Sequence, residues 1–115
     1  MALSHLSSGE TMSVLPLGER LEQTQTAALF RQAQLEVMRL VLPAGKGMPE
    51  HAVNGPITVH CIEGEVNFSF ENTQRLMRAG DLLYLAAGIP HKLTAIRNAS
   101  VLVTIVLQGP SASPA

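Results

Sequence analysis

The sequence predicts an all-β domain, a sandwich or barrel built from many short strands. Three observations predict it. Short apolar runs recur along the chain and are broken by Gly, Pro and Asn. One of them, Val66-Asn-Phe-Ser-Phe70, alternates strictly, which places Val66, Phe68 and Phe70 on one face of a strand. Hydrophobic residues make up 46% of the 115-residue chain and aromatics only 3%, so a core can form and must be aliphatic.

The elements follow in order. Residues 1–12 are polar and serine-containing and read as a flexible lead, the domain spans 13–110, and Ser-Ala-Ser-Pro-Ala at 111–115 reads as a flexible tail. Neither end can bury enough apolar area to offset its ordering entropy. Leu17 to Leu29 admits a helical turn, while Thr24, Thr26 and Phe30 fit a strand equally well. Leu35 to Leu42 reads as a strand ended by Pro43-Ala44-Gly45, and Ile57 to Ile62 as a second. Glu71-Asn-Thr-Gln74 is a hairpin loop by composition, joining Val66–Phe70 to Arg75–Arg78. Leu82 to Leu85 is a strand between turns at Ala79-Gly80-Asp81 and Ala87-Gly-Ile-Pro90. Lys92 to Ile96 and Val101 to Leu107 close the set.

Composition excludes several partners. Formal net charge is −1 and no basic run is present, which argues against nucleic acid and anionic membrane. No apolar stretch reaches the roughly 18 residues of a membrane-spanning helix, and the N-terminus lacks the apolar centre of a signal peptide. Cys61 is the single cysteine, so no internal disulfide forms. These features lead to the expectation of a cytoplasmic protein. Val101 to Leu107 is apolar on both faces apart from Thr104, as are Leu40, Val41 and Leu42. A strand of a lone sandwich should have one wet face, so a second cover is expected, and a homodimer supplies it.

Two glycine-framed segments carry the chemistry. The first reads Gly45-x5-His51-x-Val53-x3-Ile57-x6-Gly64 and the second Gly80-x5-Ala86-x-Gly88-x2-His91-x3-Ala95. Their spacing resembles the two motifs of the cupin family, Gly-x5-His-x-His-x3-Glu-x6-Gly and Gly-x5-Pro-x-Gly-x2-His-x3-Asn. The resemblance covers about residues 36–107. It implies a jelly-roll β-barrel, usually dimeric, but no single reaction, because the family includes dioxygenases, isomerases, lyases, storage proteins and sensors.

A cupin metal site resembles three imidazoles and one carboxylate around Mn, Fe, Ni, Cu or Zn. Imidazole suits the later divalent ions, and the carboxylate offsets part of their charge. Here the resemblance carries over only His51 and His91 as metal ligands, because Val53 and Ile57 replace the second histidine and the glutamate. His60 lies three residues after Ile57, so simple alternation places it on the opposite face. Glu50 is expected to face solvent at the barrel mouth. Glu63 and Cys61 share the parity of Ile57, Glu63 at the far end of its strand. Val53, Ile57, Val59, Cys61 and Tyr84 are the expected ligand-binding wall, Tyr84 by its hydroxyl. Cys61 also reads as a small buried hydrophobe. Met48 is a candidate rim residue, and Met38 and Met77 are adaptable fillers. Arg39, the one cation inside an apolar strand, reads as an anion holder or as part of a solvated or interface face.

No Gly-x-Ser-x-Gly elbow, usefully spaced carboxylate pair or dinucleotide-binding glycine pattern occurs, so no catalytic residue is assigned. The leading expectation is a small-molecule ligand bound in the barrel cavity, with apolar walls and the two histidines as polar anchors. The alternative is a metal-dependent enzyme, dioxygenase- or isomerase-like, holding Zn, Fe, Mn or Ni at His51 and His91. A metal-free general-base role for either histidine and a ligand-free structural dimer are the remaining readings.

Overall fold

The computed structural model describes residues 5–107, and the expected tail at 111–115 lies outside them. Nine strands form two antiparallel sheets: β1 (Ala27–Arg31), β2 (Leu35–Leu42), β3 (Gly47–His51), β4 (Ile57–Glu63), β5 (Glu65–Phe70), β6 (Thr73–Arg78), β7 (Leu82–Leu85), β8 (His91–Ala95) and β9 (Ala99–Val106). One sheet runs β1-β2-β9-β4-β7 and the other β3-β8-β5-β6. Apart from the β1–β2 and β5–β6 pairs, consecutive strands cross between the sheets, which gives the jelly roll that the resemblance implies. The ambiguous stretch 14–31 contains both expected elements. A 3-10 turn occupies Gly18–Gln23 and strand β1 begins after Thr24 has ended it. Strand β3 was not legible, because Gly47-Met-Pro-Glu-His51 carries no alternating apolar signal and four of its five residues are exposed.

Register places the core. On β4 and β9, Ile57 lies opposite Ile105, Val59 opposite Val103 and Cys61 opposite Val101. These side chains point inward with Leu40 and Leu42 of β2 and meet Val66, Phe68 and Leu93 of the other sheet. Each such aliphatic side chain contributes roughly 1.5–3 kcal/mol by leaving water. The hairpin between β5 and β6 turns on Glu71 and Asn72, both at positive φ (47° and 62°), the conformation that a tight two-residue turn requires.

One bulge decides the role of a charged residue. Between Cys61 and Glu63 the β4–β9 register slips, so Glu63 pairs with Ser100 on the outer face. Alternation alone would have turned Glu63 inward. Outside the barrel its carboxylate accepts the Leu17 N–H at 2.8 Å, the Gly18 N–H at 3.0 Å and the Ser100 hydroxyl. This ties the 3-10 turn to the sheet, where Leu17 and Leu21 cover Val41. The chain leaves the bulge through Gly64, whose φ is +81° and where a Cβ would stand 2.0 Å from the Asn98 carbonyl oxygen. Only glycine fits there.

The outer face of the five-stranded sheet is partly covered. Beyond Val41, Arg39 donates from Nη2 to the Ser13 carbonyl at 3.2 Å. Its Nε is buried without a hydrogen-bond partner among the described residues. Residues 5–12 of the expected lead run beside β1, and the Leu6 N–H donates to the Leu29 carbonyl at 2.8 Å. Further along the same face Leu35, Leu82, Tyr84 and Val106 remain exposed. No helix among the described residues is long and apolar enough to cross a membrane.

Candidate functional site

The two motif histidines meet. Strands β3 and β8 pair so that His51 lies directly opposite His91, after a register shift between Met48 and His51. That shift lets Met48 and His51, three residues apart, both face inward. The imidazole centroids are 4.6 Å apart and the rings are tilted by 56°. His91 is buried at 5% exposure, whereas His51 is exposed at the mouth. Phe68 stacks on His91 at 5.4 Å with planes only 14° apart. The strict alternation of β5 had already put Phe68 on the inner face; its ring contact depends on the β5–β8 pairing, which no local pattern reveals.

Both rings are held in the same way. Nδ1 of His51 lies 3.1 Å from the Pro49 carbonyl oxygen, and Nδ1 of His91 lies 2.9 Å from that of Ile89. A carbonyl can only accept, so each Nδ1 carries the proton. In the neutral rings each Nε2 then presents a lone pair. Two acceptor nitrogens with fixed rings are what a ligand donor or a metal ion requires.

A cavity of about 50 Å³ lies beside the pair. Its walls are Ile57, Val59, Val103 and Ile105 from one sheet and Phe68 and Leu93 from the other, with Met38, Leu40 and Met48 completing the lining. Of the residues proposed from the sequence, His51, His91, Ile57 and Val59 therefore come together. Val53 packs against the core from the loop before β4, and its carbonyl accepts the Gly88 N–H at 2.9 Å, but it is not part of this lining. Cys61 is inward yet sits deeper, beyond the cavity, with its thiol towards the Glu63 and Gly64 carbonyls. Burial, and then the nearby Asp81 carboxylate, push that thiol up from its ordinary pKa. Tyr84 is 70% exposed and lies on the outer face. His60 is opposite Leu82 and Leu102 on that outer face, away from the pair.

Glu63 belongs to a different region. Burial raises its carboxyl pKa, but the Ser100 hydroxyl, the Leu17 and Gly18 N–H groups and Arg39 together outweigh that. The net result lies below the ordinary carboxylate range.

A family profile described as the cupin domain matches residues 38–107, more than half of the chain. The chain belongs to the cupin family. Solved cupin folds align with nearly all of it. A conserved protein of unknown function from Streptococcus pyogenes is 22% identical, with 95% of this chain and 99% of that one covered at a TM-score of 0.72. A cupin superfamily protein from Desulfitobacterium hafniense is 17% identical, with 94% and 100% covered at 0.75. An RmlC-like cupin from Desulfovibrio desulfuricans is 20% identical, with 84% and 96% covered at 0.71. At these identities the likeness concerns the fold. Among curated proteins none matches the chain.

The divalent centre of the family motif does not fit this cupin. Where that motif has its carboxylate, Ile57 forms a buried apolar wall of the cavity. Among the described residues no group of three His, Cys, Asp or Glu could hold a metal ion.

Proposed function

We propose that this cupin is a binding protein that takes a small ligand between the mouth of the barrel and its apolar floor. The observation that carries the reading is the arrangement of His51 and His91. Both rings are held through Nδ1 to backbone carbonyls, and both line a hydrocarbon cavity. Apolar walls with a few convergent polar atoms are the usual recipe for a ligand site. The cavity holds about 50 Å³, well short of the roughly 300–1,000 Å³ of drug-sized ligand pockets. The ligand is therefore only a few atoms in size, or it inserts one group and leaves the rest at the exposed His51 edge. A panel of small carboxylates and aromatic compounds, followed by thermal shift and by the imidazole resonances of His51 and His91, tests this. A binder should move both rings and raise the melting temperature, and His51→Ala should remove the response. Silence of both rings across the panel and across metal ions would overturn it.

We further infer that two copies associate through the outer face of the five-stranded sheet. Leu82 and Tyr84 there are 68% and 70% exposed, and Leu35 and Val106 on the same face 37% and 42%. Large apolar side chains exposed on one sheet face favour association. Light scattering at micromolar concentration should give twice the chain mass, and Leu82→Asp should halve it. A stable wild-type monomer would remove this part of the reading.

A further inference from the structure

We propose that residues 13–24 form a latch on the outer face of the five-stranded sheet, closed by the Glu63 carboxylate and opened by acid while the barrel stays folded. The proposal needs neither the ligand nor the pairing of copies. The latch meets the barrel through few groups. Leu17 and Leu21 pack on Val41 as a cluster separate from the barrel core. The Leu17 and Gly18 N–H groups donate to Glu63 at 2.8 and 3.0 Å, and Arg39 Nη2 donates to the Ser13 carbonyl at 3.2 Å. Asn98 Nδ2 donates to the Glu22 carboxylate at 3.3 Å. Within the latch, the Arg20 N–H donates to the Leu17 carbonyl and the Thr24 N–H to the Leu21 carbonyl, each at 3.1 Å. A short 3-10 turn of this kind does not hold by itself in water. The chain is tied on both sides of it, by the Leu6 N–H to the Leu29 carbonyl and by the Val41 N–H to Thr26 Oγ1, each at 2.8 Å. The segment between those ties can therefore lift as a local event.

The proton on Glu63 decides whether it lifts. Three donors share two oxygens: the Leu17 N–H and the Ser100 hydroxyl on Oε2, and the Gly18 N–H on Oε1. An ionised carboxylate accepts all three, whereas a protonated one carries a hydrogen on one oxygen. Ser100 can turn its hydroxyl to accept that hydrogen, but a backbone N–H can only donate. One latch amide is then set against a donor. The closed state also leaves Arg39 Nε buried with no hydrogen-bond partner among the described residues, on the guanidinium whose Nη2 holds Ser13. A buried donor without a partner counts against that state. The groups around Glu63 leave the switch to its own carboxyl. Arg39 of β2 favours its ionised form. Ser100 of β9 is neutral, and on β4 the Cys61 thiol, pushed up by burial, points at the Glu63 carbonyl. Glu65 pairs with Arg78 and Arg97, and in the latch Glu19 and Arg20 are exposed while Glu22 is held by Asn98.

Amide exchange of the full chain, measured pH by pH with the Glu63 carboxyl carbon resonance in the same samples, tests the latch. Below the ordinary carboxyl value of 4.5, as Glu63 takes its proton, protection of the Leu17, Gly18, Arg20 and Thr24 amides should fall about ten-fold or more. The Cys61 and Ala95 amides, bonded within the barrel to the Asp81 and Lys46 carbonyls, should keep theirs. Ser100→Ala removes a donor that favours the ionised form, so the latch midpoint should move to higher pH. Glu63→Gln sets an NH2 group against one latch amide and should open the latch at neutral pH with the barrel amides still protected. Latch and barrel amides losing protection together would overturn the proposal. So would a latch that stays protected through the Glu63 titration, a midpoint unmoved by Ser100→Ala, or a Glu63→Gln latch as protected as wild type. If Glu63→Gln does not fold, the wild-type titration decides.

Discussion

The two ends of this barrel treat polar groups in opposite ways. At the closed end, Glu63 is a partly buried charge on the outer face, and its carboxylate is answered by polar partners. Two backbone N–H groups, one hydroxyl and a guanidinium surround it. At the mouth, His51 and His91 have one ring nitrogen each tied to a carbonyl, and both rings line a hydrocarbon cavity. A satisfied polar group holds a fold together, and a pair of fixed, unused acceptors is available to a ligand. The difference separates the structural residue from the functional ones more clearly than their chemical types do.

Perturbing the closed end should be costly. Gly64→Ala must place a Cβ against the Asn98 carbonyl at a positive φ, and we expect a loss of about 3 kcal/mol or more in urea unfolding. A loss under roughly 1 kcal/mol would mean that the bulge is not rigid. Glu63→Ala leaves the Leu17 and Gly18 N–H groups and the Ser100 hydroxyl without their acceptor, and should cost about 2–3 kcal/mol. Glu63→Gln keeps the shape but loses the charge, and should cost less than the alanine variant.

The same residue sets a pH dependence. Its folded pKa is depressed relative to the unfolded chain, so the unfolded state binds the proton more readily. The stability it contributes is fully present above the ordinary carboxyl value of 4.5 and is lost as the pH falls through the lower folded value. Unfolding curves from neutral pH down to about pH 3 should show wild type losing stability more steeply than Glu63→Gln. Parallel curves would show that the carboxylate is not stabilised as described.

Perturbing the mouth should be nearly silent for stability. His51 is exposed and makes a single hydrogen bond to the Pro49 carbonyl, so His51→Ala should change stability by less than about 0.5 kcal/mol while removing ligand binding. A large destabilisation would place His51 with Glu63, among the structural residues.

Much of the fold was legible because its signals are local. The glycine frame from Gly45 to Gly64 and from Gly80 to Gly88, and the alternation of Val66, Phe68 and Phe70, depend only on neighbours in sequence. The inward placement of His51, His91 and Ile57 was implied by the resemblance to the cupin motifs, and that of Val59 by alternation from Ile57. What stayed hidden depends on register. The slip between Cys61 and Glu63 turns Glu63 outward, and no residue there announces a bulge. The edge strand Gly47–His51 has no apolar period, because its strand character comes from pairing with β8. Tyr84 and Cys61 illustrate the limits of parity. Tyr84 alternates onto the wet face, and Cys61 has the inward parity but lies too deep to reach the cavity.

The central claim is that backbone carbonyls hold the Nδ1 protons of both motif histidines and leave both Nε2 atoms as acceptors. Long-range nitrogen–proton NMR at a pH where both rings are neutral reads this directly. His51 and His91 should both show a protonated Nδ1 and a bare Nε2. A protonated Nε2 on either ring would contradict the account.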